Sequence, residues 1–486
     1  MQRDWTLSRH LLVNNPINNA LSVKYPLRLL GIALLALGLS GCAGLVRTDY
    51  QRPQVELPAQ WTVQPDSGDK VLAAGQWWQV FNDPLLNELI EKALQTNNDL
   101  AAATIKVRKA RLQAGLEATN LTPDVTVSAS SSKERDLNSG TEARSSSTST
   151  SLSYELDLWG KLAASRDSAE WEASATEQDR ADTALTLIGT TADLYWQIAY
   201  LNQAIRSSEQ SIAYTQRSLE VVRVKYSAGA VTNLDLLQAE QNVESQKADL
   251  ADLQQQLTEA QNALAILFNQ APEHVMATPQ QLSSLPMPTL QASVPAAVLA
   301  NRPDLRAAEM RLRESLADAD STRASYYPSF SLTAALGTSS TQLLNLLQNP
   351  VATLGAGLSL PFVEWNQARL NTQIADATYQ QAVVAFRQSL YSAMQDVENA
   401  LSARKHYQQQ EAALQRSYDL ARQAEQVAET RYRAGATGVQ DWLDQQETRR
   451  TAELALVKNR YNQLSNMMTL YQALGGAPQD LTSNGQ

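Results

Sequence analysis

Four stretches of the chain alternate apolar and polar residues with period two. Val125, Val127 and Ala129 alternate with Thr126, Ser128 and Ser130; Leu152, Tyr154, Leu156 and Leu158 alternate with Ser153, Glu155 and Asp157. Phe330, Leu332 and Ala334 alternate with Ser331, Thr333 and Ala335; Leu354, Ala356, Leu358 and Leu360 alternate with Thr353, Gly355, Gly357 and Ser359. That period predicts strands with one apolar and one polar face. Each runs roughly ten residues, the length at which a tilted strand crosses a bilayer. On the alternation alone, amphipathic hairpins on a soluble core are the preferred reading, because the signal per strand is weak. If the strands do span, an open edge cannot face lipid, so their sheet must close. Closure takes about eight strands or more. Four per chain then implies a shared barrel, with eight strands from two chains or twelve from three.

Between these stretches the pattern is helical. Helices are predicted over Pro84–Asn120 and Pro303–Ser325. A far longer one runs from Trp159 to Ser227, interrupted only by Gly160 and Gly189, and another from Trp365 to Ala434 without Pro or Gly. At ~1.5 Å per residue such rods reach on the order of 100 Å. Each turns at an Ala-Gly pair into a returning helix with a heptad seam. The first seam is Leu250, Leu253, Leu257, Ala260, Leu264 and Leu267; the second is Leu454, Val457, Tyr461, Leu464, Met468 and Tyr471. The two stripes fall on different faces of equivalent helices, which favours a wall of helices over a plain four-helix bundle.

The equivalence comes from a duplication. Lys225-Tyr226-Ser227-Ala228-Gly229, with Asp235 and Leu237, returns 206 residues later as Arg431-Tyr432-Arg433-Ala434-Gly435, with Asp441 and Leu443. The offset holds from Trp159/Trp365 to Ala271-Pro272/Ala477-Pro478 and becomes 205 upstream, where Asp99-Leu100 matches Asp304-Leu305 and Pro123 matches Pro328. Two copies of one architectural unit are expected. They divide the chain into a leader (1–41), an N-terminal segment (42–84), a first repeat (85–270), a linker (271–302), a second repeat (303–478) and a tail (479–486). Each repeat holds a helix, two strands and a long helical hairpin.

The leader has basic residues Lys24 and Arg28, the apolar run Leu29–Leu37 and then Leu39-Ser40-Gly41-Cys42. This is a secretory signal, with an apolar run too short for a permanent membrane helix. Cys42 is the only cysteine, so no intrachain disulfide forms. The formal charge is −10 without basic clusters, which argues against a nucleic-acid partner. His10, His274 and His406 have no nearby Cys or second His, and no phosphate-binding glycine loop appears. No catalytic or metal constellation is evident, so the expected protein is not an enzyme and has no cofactor or metal.

Candidate functional residues gather at the turns. Ala228, Gly229, Ala434 and Gly435 end the long helices, where a left-handed cap calls for glycine. Beyond the second turn, Asp441-Trp442-Leu443-Asp444 places two carboxylates on one helix face. That arrangement suits an acidic helix start as well as a constriction that concentrates cations.

As an ordered set, the lipobox-like Leu39–Cys42, the segment Asp157-Leu158-Trp159-Gly160-Lys161-Leu162, Asn301-Arg302-Pro303-Asp304-Leu305, Tyr326-Tyr327-Pro328-Ser329-Phe330 and both Tyr-x-Ala-Gly repeats resemble the TolC family of outer-membrane efflux proteins, in its NodT-like or OprM-like lipoprotein branch. The resemblance implies an α+β membrane protein: a homotrimer with a twelve-stranded β-barrel in the outer membrane and a twelve-helix α-barrel in the periplasm, belted by segments 43–84, 270–300 and the tail. It implies the exit duct of a tripartite efflux system, partnered by a periplasmic adaptor and an inner-membrane pump of the resistance-nodulation-division class. It implies diacylglycerol and an acyl chain on Cys42, adaptor docking at the two turns, and a constriction at Asp441 and Asp444. Asp235 and Tyr432 match positions of a closing hydrogen bond between neighbouring helix pairs. Thr437 stands where some members carry a basic residue. The rival reading is a periplasmic adaptor or spacer lipoprotein with long coiled coils and no pore.

The mature chain is expected to begin at an acylated Cys42. Intact mass and labelled-palmitate incorporation check this: lipid on the wild type, none on Cys42→Ser.

Overall fold

The structure, a computed structural model, describes residues 46–56, 58–62, 76–272, 278–288 and 301–476. The leader, Cys42, His10, His274, the tail and parts of segments 42–84 and 271–302 lie outside the described residues. The main elements are α1 (Pro84–Thr96), α2 (Asn98–Thr119), β1 (Asp124–Arg135), β2 (Glu142–Leu156), α3 (Lys161–Ser227), α4 (Asn233–Leu267), α5 (Pro303–Ala324), β3 (Ser329–Ser340), β4 (Pro350–Ser359), α6 (Trp365–Arg433) and α7 (Val439–Ala473). The long helices have 67 and 69 residues.

One expected element is corrected. The single helix foreseen over 84–120 is two, broken at Asn97, whose backbone is extended (φ −68°, ψ 131°). Its side-chain oxygen accepts from Leu100 N at 3.0 Å and its amide donates to Leu267 O at 3.0 Å. Asn97 thus starts α2 and closes the C-terminus of α4, meeting orphan backbone groups at both helix ends. The second repeat does the same with a different side chain. Arg302, 205 residues on, precedes α5 and donates to Ala473 O at the end of α7, at 3.3 Å. A cation is favoured there by the helix dipole. Arg302 also pairs with Asp304 at 2.7 Å and Asp396 at 3.2 Å.

These joints set α2 after α4 and α5 after α7, so the two long helices gain neighbours along their whole length. Towards the sheet the packing order is α2-α3-α5-α6; towards the hairpin turns it is α4-α3-α7-α6. The helices form a wall, as their stripes suggested. α7 lies between α3 and α6, whereas α4 has its main partner on one side, α3. The α4 seam runs further than its leucines, continuing through buried Gln246, Val243 and Ala239 to the turn. At mid-height the Trp77–Phe81 turn packs into the wall, with Trp77 5.3 Å from Tyr471 and Phe81 4.8 Å from Trp196 between ring centroids.

The strands form one antiparallel sheet in the order β1-β2-β3-β4. The register carries the alternation across all four. Val125, Leu152, Ala334 and Leu354 share one row and face; Asp124, Ser153, Thr333 and Gly355 share a row on the other. The apolar face is bare: Leu354 is 87% exposed and Val127 73%. The polar face is crowded. A Cβ at Gly355 would lie 2.7 Å from Thr333 Oγ1, and one at Gly357 2.6 Å from Ser331 Oγ. Among the described residues β1 pairs only with β2, and β4 only with β3.

Arg302→Ala leaves the Ala473 carbonyl and two aspartates without their donor. The expected loss is ~2 kcal/mol, the range for hydrogen bonds to charged groups. Urea unfolding followed by helical circular dichroism checks it, with Asn97→Ala costing about 1 kcal/mol.

Candidate functional site at the hairpin turns

Both turns close in the same way. Gly229 (φ +72°) and Gly435 (φ +74°) take the left-handed conformation, and a Cβ on either would meet nothing within 4 Å. Glycine is there for its backbone alone. Ala230 N donates to Lys225 O at 2.8 Å and Ala436 N to Arg431 O at 2.9 Å, with the Gly229-to-Tyr226 bond at 2.9 Å and the Gly435-to-Tyr432 bond at 3.0 Å nested inside them. This pair of bonds satisfies the last carbonyls of α3 and α6. Ala228, Gly229, Ala434 and Gly435 are all exposed, open to a partner.

The returning helices start differently. In the first, Thr232 and Asp235 form a capping box: Asp235 Oδ2 accepts from Thr232 N at 2.8 Å and Thr232 Oγ1 at 2.6 Å, and Asp235 N donates to Thr232 Oγ1 at 3.3 Å. The repeat places Gly438 opposite Thr232 and Asp441 opposite Asp235. Glycine offers no hydroxyl, and α7 has no side-chain cap. The Asp441 carboxylate is therefore released from capping and stands exposed at the helix start, where the dipole favours an anion. Asp444, one turn on, is exposed on the same side, with Gln440 Nε2 donating to it at 2.6 Å. Trp442 and Leu443 between them are buried. The expected carboxylate pair thus occupies one solvent-facing edge of α7.

Tyr432 and Asp235 are not hydrogen-bonded to each other within the chain. Asp235 is engaged by Thr232, and the buried Tyr432 hydroxyl has no partner among the described residues. Burial raises the pKa of that hydroxyl, and the nearby Asp235 charge adds to the effect. Thr437 Oγ1 is likewise buried and unpartnered. The hairpins are tied instead by Lys225. Its Nζ donates to Tyr432 O at 2.9 Å and sits 3.8 Å from the Tyr432 ring centroid, while the ring stacks on Trp442 at 5.2 Å. Tyr214 on α3 donates to Glu429 on α6 at 2.9 Å. Lys225 was visible as part of the repeated motif, but nothing local marks it as a tie.

Further along α7, consecutive arginines point to opposite neighbours. Arg449 pairs with Glu425 of α6 at 2.7 Å; Arg450 pairs with Asp249 of α4 at 2.8 Å. Between α3 and α7, Gln446 donates to Ser218 at 2.9 Å. Glu425 is buried and its Oε1 has no partner. Burial pushes its carboxyl above the usual range, Arg449 pulls it back, and Glu429 and Glu453 push it up again. Among the described residues no group of three or more His, Cys, Asp or Glu gathers as metal ligands would.

The outer membrane efflux protein family model matches residues 89–270 and 294–476, one segment per repeat. The pyoverdine export outer membrane protein OpmQ of Pseudomonas putida is 33% identical over 430 residues, covering 86% of this chain and 92% of that protein. The cation efflux system protein CusC of Escherichia coli is 31% identical over 454 residues, covering 91% and 97%. In structure, the open state of the Neisseria gonorrhoeae MtrE outer membrane channel matches with a TM-score of 0.77 at 29% identity, over 89% of this chain and 98% of that one.

Because the Glu425 carboxyl is raised in the folded protein, its contribution is full below the ordinary value of 4.5 and is lost as pH rises through the raised value. Glu425→Gln is expected to remove that downward slope. Urea midpoints of both proteins between acidic and neutral pH check it.

Proposed function

Since the chain belongs to the outer membrane efflux protein family, we propose that its channel is a trimer closed through the open flanks of the wall and sheet. The protein is an outer-membrane efflux channel, the outer component of an efflux pump, reaching from the outer membrane into the periplasm. A relative named for pyoverdine and one named for cations are similarly distant, at 33% and 31% identity, so identity chooses no cargo.

The observation that carries trimeric closure is a pair of seams that are exposed among the described residues. α2 bears an exposed heptad stripe at Ala102, Ile105, Lys109, Leu112 and Leu116; α6, at the opposite flank, bears one at Leu370, Ile374, Ala377, Gln381, Val384, Gln388 and Tyr391. Spacings of three and four are those of helices that pack side by side. α2 runs towards the sheet and α6 away from it, so joining them in neighbouring copies continues the alternation of the wall. The same joint brings a β4 edge beside a β1 edge. Such a head-to-tail contact closes into a ring. Three copies supply twelve strands, and four helices per chain at each level supply twelve. The bare apolar face of the sheet then meets lipid and the polar face lines the lumen. A pore-free spacer would leave that apolar face in water.

In this ring Cys42 carries the lipid anchor. The Ala-Gly turns present the tip to a periplasmic adaptor, and a resistance-nodulation-division pump supplies the energy. Asp441 and Asp444 bring six carboxylates around the axis, which raises local cation concentration. A Tyr432–Asp235 bond between neighbouring helix pairs requires the buried hydroxyl to turn outward from its place against Trp442.

Native mass spectrometry of the detergent-solubilised protein should count three chains, and planar bilayers should show cation-preferring channels. Asp441→Ala/Asp444→Ala should lower that preference, and Tyr432→Phe should raise opening in the absence of partners. A monomer or dimer would rule out the ring. Unchanged ion preference and opening in the variants would place the constriction elsewhere.

A further inference from the structure

The turn between β3 and β4 is unusual. It contains Leu343-Leu344-Asn345-Leu346-Leu347-Gln348 as a short 3-10 segment, in a place where loops at a membrane protein's watery end are ordinarily polar. Its backbone is folded down against β3 and β2 rather than extended beyond them.

The register tells which face it covers. Phe330, Leu332, Ala334, Leu336, Thr338 and Ser340 alternate onto the apolar face, and Ser146 pairs with Ser340 on that face. Thr338 Oγ1 donates to Leu346 O. Ser146, whose Oγ lies 3.1 Å from Ser131 Oγ, is only 7% exposed on a sheet whose apolar face is otherwise bare. The turn therefore lies over the outward face, at the level where that face changes from leucine and valine to serine and threonine. Leu347 projects from it at 80% exposure. The turn hides hydroxyls that lipid would leave unsatisfied and replaces them with apolar surface.

The next outward positions are charged. Lys133 pairs with Arg144, and Arg135 with Glu142, on the same face, beyond the Ser131–Ser146 row. Lys133 is salt-bridged to Glu142 at 2.8 Å. On this face three cations stand against one carboxylate, with Glu134 on the opposite face and Asp136 in the turn.

We propose that the β3–β4 turn is an outer-leaflet anchor. Leu346 and Leu347 extend the apolar band among the acyl chains, while Lys133, Arg135 and Arg144 take the phosphate of an anionic lipid head group. The chemistry is that of a basic snorkelling rim above an apolar wedge. The inference rests on the lipid-facing reading of the sheet, and continuity with that face selects lipid as the occupant.

Spin labels separate the two ideas. With Cys42→Ser leaving a single introduced thiol, full-length protein is labelled at Leu347→Cys, at Leu354→Cys in mid-sheet, or at Asn138→Cys in the β1–β2 loop. Each is reconstituted in phosphatidylglycerol–phosphatidylcholine vesicles. Relaxation by oxygen should exceed relaxation by an aqueous nickel chelate at 347 and 354, and the order should reverse at 138. Aqueous behaviour at 354 would overturn the lipid-facing sheet and the anchor with it. Lipid-like behaviour at 354 with aqueous behaviour at 347 would overturn the anchor alone. For the rim, native mass spectrometry should find phosphatidylglycerol retained over phosphatidylcholine, and Lys133→Ser/Arg135→Ser/Arg144→Ser should reduce it to the phosphatidylcholine level. Equal retention of the two lipids by the wild type, or undiminished preference in the variant, would overturn head-group capture.

Discussion

Two strand edges without partners, on a sheet with one apolar face, constrain everything else in this molecule. A backbone N–H or C=O that meets neither water nor another strand costs several kcal/mol, and β1 and β4 each present a row of them. The cost vanishes when a neighbouring copy completes the ladder. On the polar face, glycines at 355 and 357 leave room for Thr333 and Ser331 on the neighbouring strand. The helical wall inherits the same incompleteness, since α2 and α6 end it with seams of their own. The ring proposed here answers both demands with one contact.

The wall reaches its height by an economical device. Two helices run its full length, and two pairs of shorter ones are stacked beside them. Stacking creates a joint at mid-height, where helix ends leave unsatisfied groups. Asn97 and Arg302 settle equivalent joints with different chemistry, an amide in one repeat and a guanidinium in the other. The pseudo-symmetry is thus preserved in geometry and relaxed in chemistry. Packed against this level, the Trp77–Phe81 turn adds aromatic weight where the helices change partners.

The repeats diverge most usefully at the turns. Where the first repeat has Thr232 holding Asp235, the second has Gly438 and an uncapped Asp441. Tyr226 is 41% exposed while its counterpart Tyr432 is 2% exposed, under Trp442 and Lys225. One hairpin is built to be held and the other to hold it, leaving a free acidic edge beside the junction.

Much of this was legible in the sequence because it depends on local periodicity. The 3.6-residue and two-residue patterns mark the rods and strands, glycine at 229 and 435 marks the turns, and the duplication marks two units. The aspartate pair at 441 and 444 was legible for the same reason, as spacing alone puts both on one face. The break at Asn97 was missed although its cap to Leu100 is local; the carbonyl its amide meets lies 170 positions away. The grip of Lys225 on Tyr432, 207 positions apart, was not legible, nor was the folding of a leucine turn onto the outward face of the sheet. Periodicity reports which face of an element is apolar. Only tertiary contact decides which distant group meets an orphan donor, acceptor or ring, since that depends on how the whole wall brings the two repeats together.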